Sequence, residues 1–347
     1  VKPIKKVAVI GSGTMGAAIA AQCVNAGLAT ILFDIAGPDG DRNKIVKAGR
    51  DRAASSKPAS FMRADFAERL EIGNLDDDFA KLGEVDWVIE AIVEKLEVKA
   101  DLLARLETVV SKDCIVSSNS SGIPMKYQSA KLGADLKPRF LGTHFFNPPR
   151  YLHLLEIIPT RETSPEVVAR VAELGDRVLG KGIVRAHDVP GFAANRIGAW
   201  CTAKIIQVAD ELKLSPDVVD TLTGPILGRP KSATYRTIDV VGLDIFFTVC
   251  QQLEQATKEG FGLPAVFQQL LDKGWLGNKS GQGFYQKSKD KSAGSKILTL
   301  NAETLEYEDK GKVRLEELAS IIGLPTVAER AEALLKAPGW VGEFTRK

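Results

Sequence analysis

The sequence predicts an α/β protein: a doubly wound parallel sheet in the N-terminal half, then an all-α second domain. Three observations carry this. Short β-branched and apolar runs alternate with longer runs of helical period as far as His187. After His187 the strand patterns largely stop and helical periodicity takes over. The chain's 347 residues also exceed one ordinary domain of roughly 150. The chain therefore reads as residues 1–187, residues 188–286 and a remainder at 287–347.

In order, a strand at 4–10 runs through glycines into a helix at 15–26 and a second strand at 29–34. Residues 41–71 are charged and read as mostly helical. Strands follow at 85–92, 114–117 and 140–144, with an amphipathic helix at 95–110. Two more strands, at 154–158 and 183–185, flank a helix at 165–179. Pro190-Gly191 opens helical periodicity through Leu212, and further helices are expected at 215–222, 243–259 and 264–273. The helical part ends near Tyr285 and a polar linker covers 287–295. Beyond it, a short hairpin at 297–307 and helices at 315–322 and 327–335 are expected.

Composition excludes several classes. The 46 Lys+Arg and 44 Asp+Glu nearly cancel at net charge +2, so no strongly basic face for nucleic acid is expected. A hydrophobic content of 44% provides an ample core and excludes a disordered chain. No apolar run approaches the roughly 18–20 residues of a membrane span. Cys23, Cys114, Cys201 and Cys250 lie far apart with no CxxC spacing and no His partner. They read as free, buried thiols in a reducing cytoplasm, and no metal site is expected.

The first motif is Gly11-Ser12-Gly13-Thr14-Met15-Gly16, between a strand and a helix. Gly11 permits the tight turn, Gly13 lets the backbone approach a pyrophosphate, and Gly16 lets helix and strand pack closely. The helix N-terminus offers unpaired N–H groups to the anion. Asp34 ends the second strand 18 residues past Gly16, where it accepts from ribose hydroxyls and repels a 2′-phosphate. This Rossmann-type pattern favours NAD, with NADP the alternative because Arg42 lies nearby.

The second constellation rests on one of only three histidines. His144 ends a predicted strand, where doubly wound folds line their ligand crevice. Twelve residues later Glu156 sits in the middle of the apolar run Leu154-Leu155-Glu156-Ile157-Ile158. A buried carboxylate needs a partner, and an imidazole so paired is oriented and made a stronger base. His153, at odd spacing from Glu156, falls on the opposite face; His187 sits at the domain junction and reads as structural. Ser117-Ser118-Asn119-Ser120-Ser121-Gly122 follows a buried strand, either as a polar turn or as a ligand-contacting loop.

With these residues in place, the chain resembles the L-3-hydroxyacyl-CoA dehydrogenase family of fatty acid β-oxidation. The matching motifs are GSGTMG, VIEAIVEKLEVK, SSNSSG, GTHFFNPP with LLEII, DVPGFAANR and GWLGNKSGQGFY, in the family's order over residues 4–286. The resemblance implies oxidation of an (S)-3-hydroxyacyl-CoA with NAD, with His144 as base and Glu156 as its orienting acid. It implies Ser121 and Asn195 on the substrate 3-oxygen. Cofactor contacts fall on Gly11, Gly13, Gly16, Asp34, Glu94, Lys99, Asn119 and Asn147. Gly122 departs from the family, where many members carry a second hydroxyl, and this is expected to loosen the surroundings of Ser121. Residues 37–63 align poorly, although Arg42, Lys44 and Lys47 are available to CoA phosphates.

The resemblance further implies a homodimer through the helical domain and an association with enoyl-CoA hydratase. Residues 287–347 resemble the connecting region of longer β-oxidation proteins, so the chain reads as part of a multifunctional protein or as a complete, extended one. Two alternatives stay open from the residues alone. One is a dehydrogenase of a free hydroxy or sugar acid, and the other is a non-catalytic NAD-binding protein on the same scaffold.

Overall fold

A computed structural model describes residues 3–38, 40–287, 296–309 and 316–347. The chain forms two units, Val1–Ala193 and Ala194–Lys347.

In the first unit the elements run β1 (Lys6–Ile10), α1 (Thr14–Asn25), β2 (Ala29–Asp34), α2 (Lys44–Ala54), β3 (Glu71–Asn74), β4 (Trp87–Glu90), α3 (Leu96–Glu107), β5 (Ile115–Ser118), α4 (Met125–Gln128), β6 (Phe140–Phe145), β7 (Leu154–Pro159), α5 (Pro165–Arg177) and β8 (Gly182–Arg185). The strands form one sheet in the order β3-β2-β1-β4-β5-β6-β7-β8. Val7, Val9 and Ile89 pack on one face of the sheet, and Ala8, Ile10 and Val88 on the other. A strand covered on both faces reads as a continuous apolar run, which is why β1 and β4 are plain in the sequence. Alanines 17, 18, 20 and 21 give α1 a thin face that lets it lie close to the sheet.

Two features depart from the expected parallel sheet. Residues 41–71 are helical only in α2 and in a 3₁₀ turn at Ala64–Arg69, and the chain then adds β3 at the sheet edge, parallel to β2. β3 holds only Ile72 as a large apolar residue beside Gly73, too little pattern to announce a strand. β6 and β7 pair antiparallel because residues 146–153 are too few for a crossover helix.

Residues 188–193, expected with the second part, lie in the first unit. The Asp188 carboxylate accepts the N–H groups of Met125 and Lys126 at 2.7 and 2.8 Å, capping α4.

The second unit comprises α6 (Ala194–Glu211), α7 (Pro216–Thr223), α8 (Tyr235–Val241), α9 (Leu243–Thr257), α10 (Ala265–Asp272), β9 (Tyr285–Lys287), β10 (Ile297–Leu300), β11 (Tyr307–Asp309), α11 (Glu316–Ile322), α12 (Val327–Lys336) and α13 (Gly339–Arg346). The all-α character expected of 188–286 holds through α6 to α10, and β9 begins at its very end. The order β11-β10-β9 makes a small antiparallel sheet, and the hairpin foreseen at 297–307 is its outer pair. The Leu300 N–H donates to the Phe284 carbonyl at 2.9 Å, and Leu300, Leu318, Leu334 and Val341 share one core with Ile206, Phe267 and Phe284. Residues 288–295 of the expected linker, and Leu315, lie outside the described residues. Among the described residues no helix is long and apolar enough to cross a membrane.

Candidate active site

Gly11 leaves β1 with φ +100°, and a Cβ there would fall 2.5 Å from the Ala91 carbonyl oxygen. A Cβ on Gly16 would fall 1.8 Å from the Gly11 carbonyl oxygen, so both positions exclude any side chain. Gly13 differs. A Cβ there would meet nothing within 4 Å, and Gly13 opens α1 without a side-chain cap, so the first N–H groups of the helix have no side-chain acceptor from it. Asp34, at the end of β2, accepts the backbone N–H and the hydroxyl of Ser12, both at 2.6 Å, which fixes its carboxylate beside that turn.

A cleft of about 730 Å³ runs from Gly13 and Asp34 to the apolar side chains of Ile35, Val93 and Val98. Those three are 62%, 59% and 42% exposed, an apolar wall standing in water. An uncapped helix end for a diphosphate, an acid for a ribose and apolar sides for a base fit a dinucleotide. Arg42, the residue that left NADP open, is drawn instead to Asp77 at 2.6 Å and Asp76 at 3.2 Å. Lys47 pairs with Asp41 at 3.0 Å.

The second half of the site lies at the ends of β5, β6 and β7. His144 and Glu156 are direct cross-strand partners, and cross-strand side chains share a sheet face. The His144 Nδ1 lies 2.7 Å from Glu156 Oε2, with the histidine 5% and the glutamate 0% exposed. Glu156 Oε1 accepts the Ala193 N–H at 2.9 Å. The imidazole is walled by Phe146 and Phe192, with ring centroids 4.4 and 5.7 Å away. His153 and His187 are both exposed.

Asn119 ties β5 to β6, because its Oδ1 accepts the Phe145 N–H at 2.9 Å. Ser117 and Thr143 make a second tie, hydroxyl to hydroxyl at 2.7 Å. Ser121 and Gly122 are exposed on the loop that follows, and Asn147 is exposed just beyond β6. Asn195 lies in the first turn of α6, in the second unit.

Lys99 stands apart from the other expected cofactor contacts. It is 1% exposed, and its ammonium lies 2.7 Å from Glu90 Oε1 and 3.2 Å from Glu94 Oε2. Glu90 was not foreseen, although an acid closing the apolar run Val88-Ile89-Glu90 is the same signal that marks Glu156. Glu90 is fully buried and also accepts the Ile92 N–H at 2.7 Å and the Ser118 hydroxyl at 2.6 Å.

Comparison with known proteins agrees with this geometry. Residues 6–189 match the NAD binding domain of 3-hydroxyacyl-CoA dehydrogenase, and residues 191–287 match its C-terminal domain. A probable 3-hydroxyacyl-CoA dehydrogenase of Deinococcus radiodurans is 52% identical over 299 residues, 85% of this chain and 86% of that protein. One of Bacillus subtilis is 42% identical over 364 residues; the match covers 99% of this chain but only 45% of that longer protein. Among solved structures, (S)-3-hydroxybutyryl-CoA dehydrogenase from Ralstonia eutropha superposes with TM-score 0.72 at 29% identity, covering 82% of this chain and 100% of that one. Two matched domains in sequence, with a cleft that fits a dinucleotide and a buried His–Glu pair in the same unit, lead to one conclusion: the chain belongs to the 3-hydroxyacyl-CoA dehydrogenase family and is an NAD-dependent oxidoreductase.

Proposed function

We propose that this enzyme oxidises the 3-hydroxyl of an (S)-3-hydroxyacyl-CoA to the 3-oxo ester in fatty acid β-oxidation, with His144 as general base. The observation that supports this most is the buried cross-strand pair of His144 and Glu156 at 2.7 Å. Facing a carboxylate, Nδ1 keeps its proton and donates it, which leaves Nε2 to take the proton of the substrate hydroxyl. Glu156 then stabilises the imidazolium, and the Ala193 N–H keeps that carboxylate aimed.

Bound NAD supplies the hydride acceptor. Gly11, Gly13 and Gly16 with the start of α1 would hold its diphosphate and Asp34 its ribose, with Asn119 and Asn147 as further contacts. Ser121 holds the 3-oxygen, since transfer between two carbons tolerates little misplacement. In this reading 1–187 binds the nucleotide, 188–286 supplies substrate and dimer surfaces, and 287–347 is an extension. Its partners are an acyl-CoA, a second copy and an enoyl-CoA hydratase unit, in the cytoplasm.

His144→Ala tests the reading. It is expected to keep NADH binding, read by fluorescence titration, and to lose roughly 10²–10⁴-fold in turnover of acetoacetyl-CoA. Near-normal turnover removes His144 from the role. Because a solved neighbour is named for 3-hydroxybutyryl-CoA, a four-carbon ester is the natural first substrate. Equal rates on free acetoacetate would overturn the CoA-ester assignment.

A further inference from the structure

Strands β2 and β3 end side by side. Asp34 stands opposite Asn74 in register, and the Leu75 N–H donates to the Asp34 carbonyl at 3.0 Å. Asp34 and Leu75 both line the nucleotide cleft, so the turn that leaves β3 starts at the cleft wall. That turn is built on one buried side chain. Asn74 is 1% exposed, and its Oδ1 accepts the N–H groups of Asp76 and Asp77 at 3.1 and 2.9 Å. Its Nδ2 donates to Asp77 Oδ2 and to Asn43 Oδ1, both at 3.0 Å. A single amide therefore sets the two aspartates and ties them to the residue after Arg42.

Arg42 completes the arrangement. Its Nε and Nη2 donate to the two oxygens of Asp77 at 2.6 and 3.0 Å, a bidentate fork, and Nη2 also reaches Asp76 at 3.2 Å. An isolated surface ion pair is weak, but this one is two-pronged and Asn74 sets its acceptors beforehand. The Arg42 guanidinium and the Asn74 amide hold the Asp77 carboxyl below its ordinary value, so the fork stays charged at neutral pH. An arginine close after the second strand is the side chain a 2′-phosphate needs, because its fork matches phosphate oxygens. Here two carboxylates already occupy that fork.

We propose that Asp76 and Asp77 are specificity-determining residues: they hold Arg42 off the 2′ position of the adenosine ribose and sharpen the choice of NAD over NADP beyond what Asp34 achieves alone. The proposal rests on the reading of Asp34 as the ribose acid. Two effects act in the same direction. The carboxylates repel a 2′-phosphate, and they withhold a guanidinium that would attract it.

Initial rates with acetoacetyl-CoA and either NADH or NADPH test this in the full chain. The choice is read as the NADPH:NADH ratio of kcat/KM values, in which an effect on the CoA ester cancels. Asp76→Ala/Asp77→Ala should raise that ratio by about tenfold or more. Asp76→Asn/Asp77→Asn, which keeps the shape of the turn, should raise it by less. Adding Arg42→Ala to the alanine pair should remove most of the gain. Arg42→Ala alone should leave the ratio within about threefold of wild type, since a clamped arginine contributes little. An unchanged ratio in both aspartate pairs, or a gain that survives the loss of Arg42, would overturn the proposal. So would a tenfold fall in Arg42→Ala alone, because Arg42 would then already reach the 2′-phosphate. Asp34→Ala separates the two readings: it should raise the KM for NADH by about tenfold and raise the ratio as well. No change in either would overturn the ribose reading and the proposal with it. Both changes in Asp34→Ala beside an unchanged ratio in the aspartate pairs would overturn the proposal alone.

Discussion

Each unit buries carboxylates, and the two units satisfy them differently. In the first, Glu156 faces an imidazole and Glu90 faces an ammonium, both at the sheet edge where β4, β5 and β6 end. In the second, Asp220 accepts the N–H groups of Thr234, Tyr235 and Arg236 and the Tyr285 hydroxyl, at 2.7 to 3.1 Å. Asp239 accepts the Phe284 and Tyr285 N–H groups, both at 2.9 Å. Neutral donors satisfy a buried carboxylate without fully offsetting its desolvation, so burial pushes both aspartates up, Asp239 to about 6. The difference teaches where to look for chemistry. Carboxylates that knit distant stretches of backbone together are architecture, whereas those that hold a titratable or charged side chain at an open edge serve a site.

The comparison is broken most directly at Glu156. Glu156→Gln is expected to cut turnover by roughly 10²–10⁴-fold, because an amide no longer enforces the proton on Nδ1 or stabilises an imidazolium. Its urea midpoint should move little by comparison. A turnover within tenfold of wild type would make the pair architectural.

Glu90→Gln should lower turnover less than Glu156→Gln and should weaken the fold as well. Removing one partner of a buried ion pair leaves the other uncompensated, at a cost of about 3 kcal/mol, read from urea unfolding. An unchanged midpoint would show that Glu94 alone suffices for Lys99.

The smallest effect is a pH dependence in the second unit. A carboxyl raised from 3.8 to about 6 in the folded state binds its proton more tightly than in the unfolded chain. Its ionisation is therefore a penalty above pH 6 that is relieved as pH falls through 6. Between pH 7 and pH 5 wild type should gain about 1 kcal/mol over Asp239→Asn in urea unfolding. A constant difference across that window would show that Asp239 stays ionised.

Much of this site was legible because its signals are local. The glycines of 11–16 carry steric demands that no other residue meets, and Asp34 closes a strand of clear period. His144 and Glu156 could be paired because an acid inside an apolar strand demands a partner, and a short connection set the two strands side by side. Lys99 was opaque. A lysine in a charged helix reads as a solvated face, and only the packing of α3 beneath Glu90 shows it to be buried. The same holds for β9, three residues whose strand character depends on a partner from beyond residue 296. Neither can be found without the long-range contact that makes it.

That contact bears on where this protein can be divided. The family pattern closes at residue 287, and an expression boundary drawn there would look natural. It would remove β10, the neighbour of β9, together with Leu300, Leu318, Leu334, Val341 and Phe344 from the core that contains Phe284. A dehydrogenase trimmed to its family motif would expose an apolar floor, so the last sixty or so residues belong in any preparation meant to stay in solution.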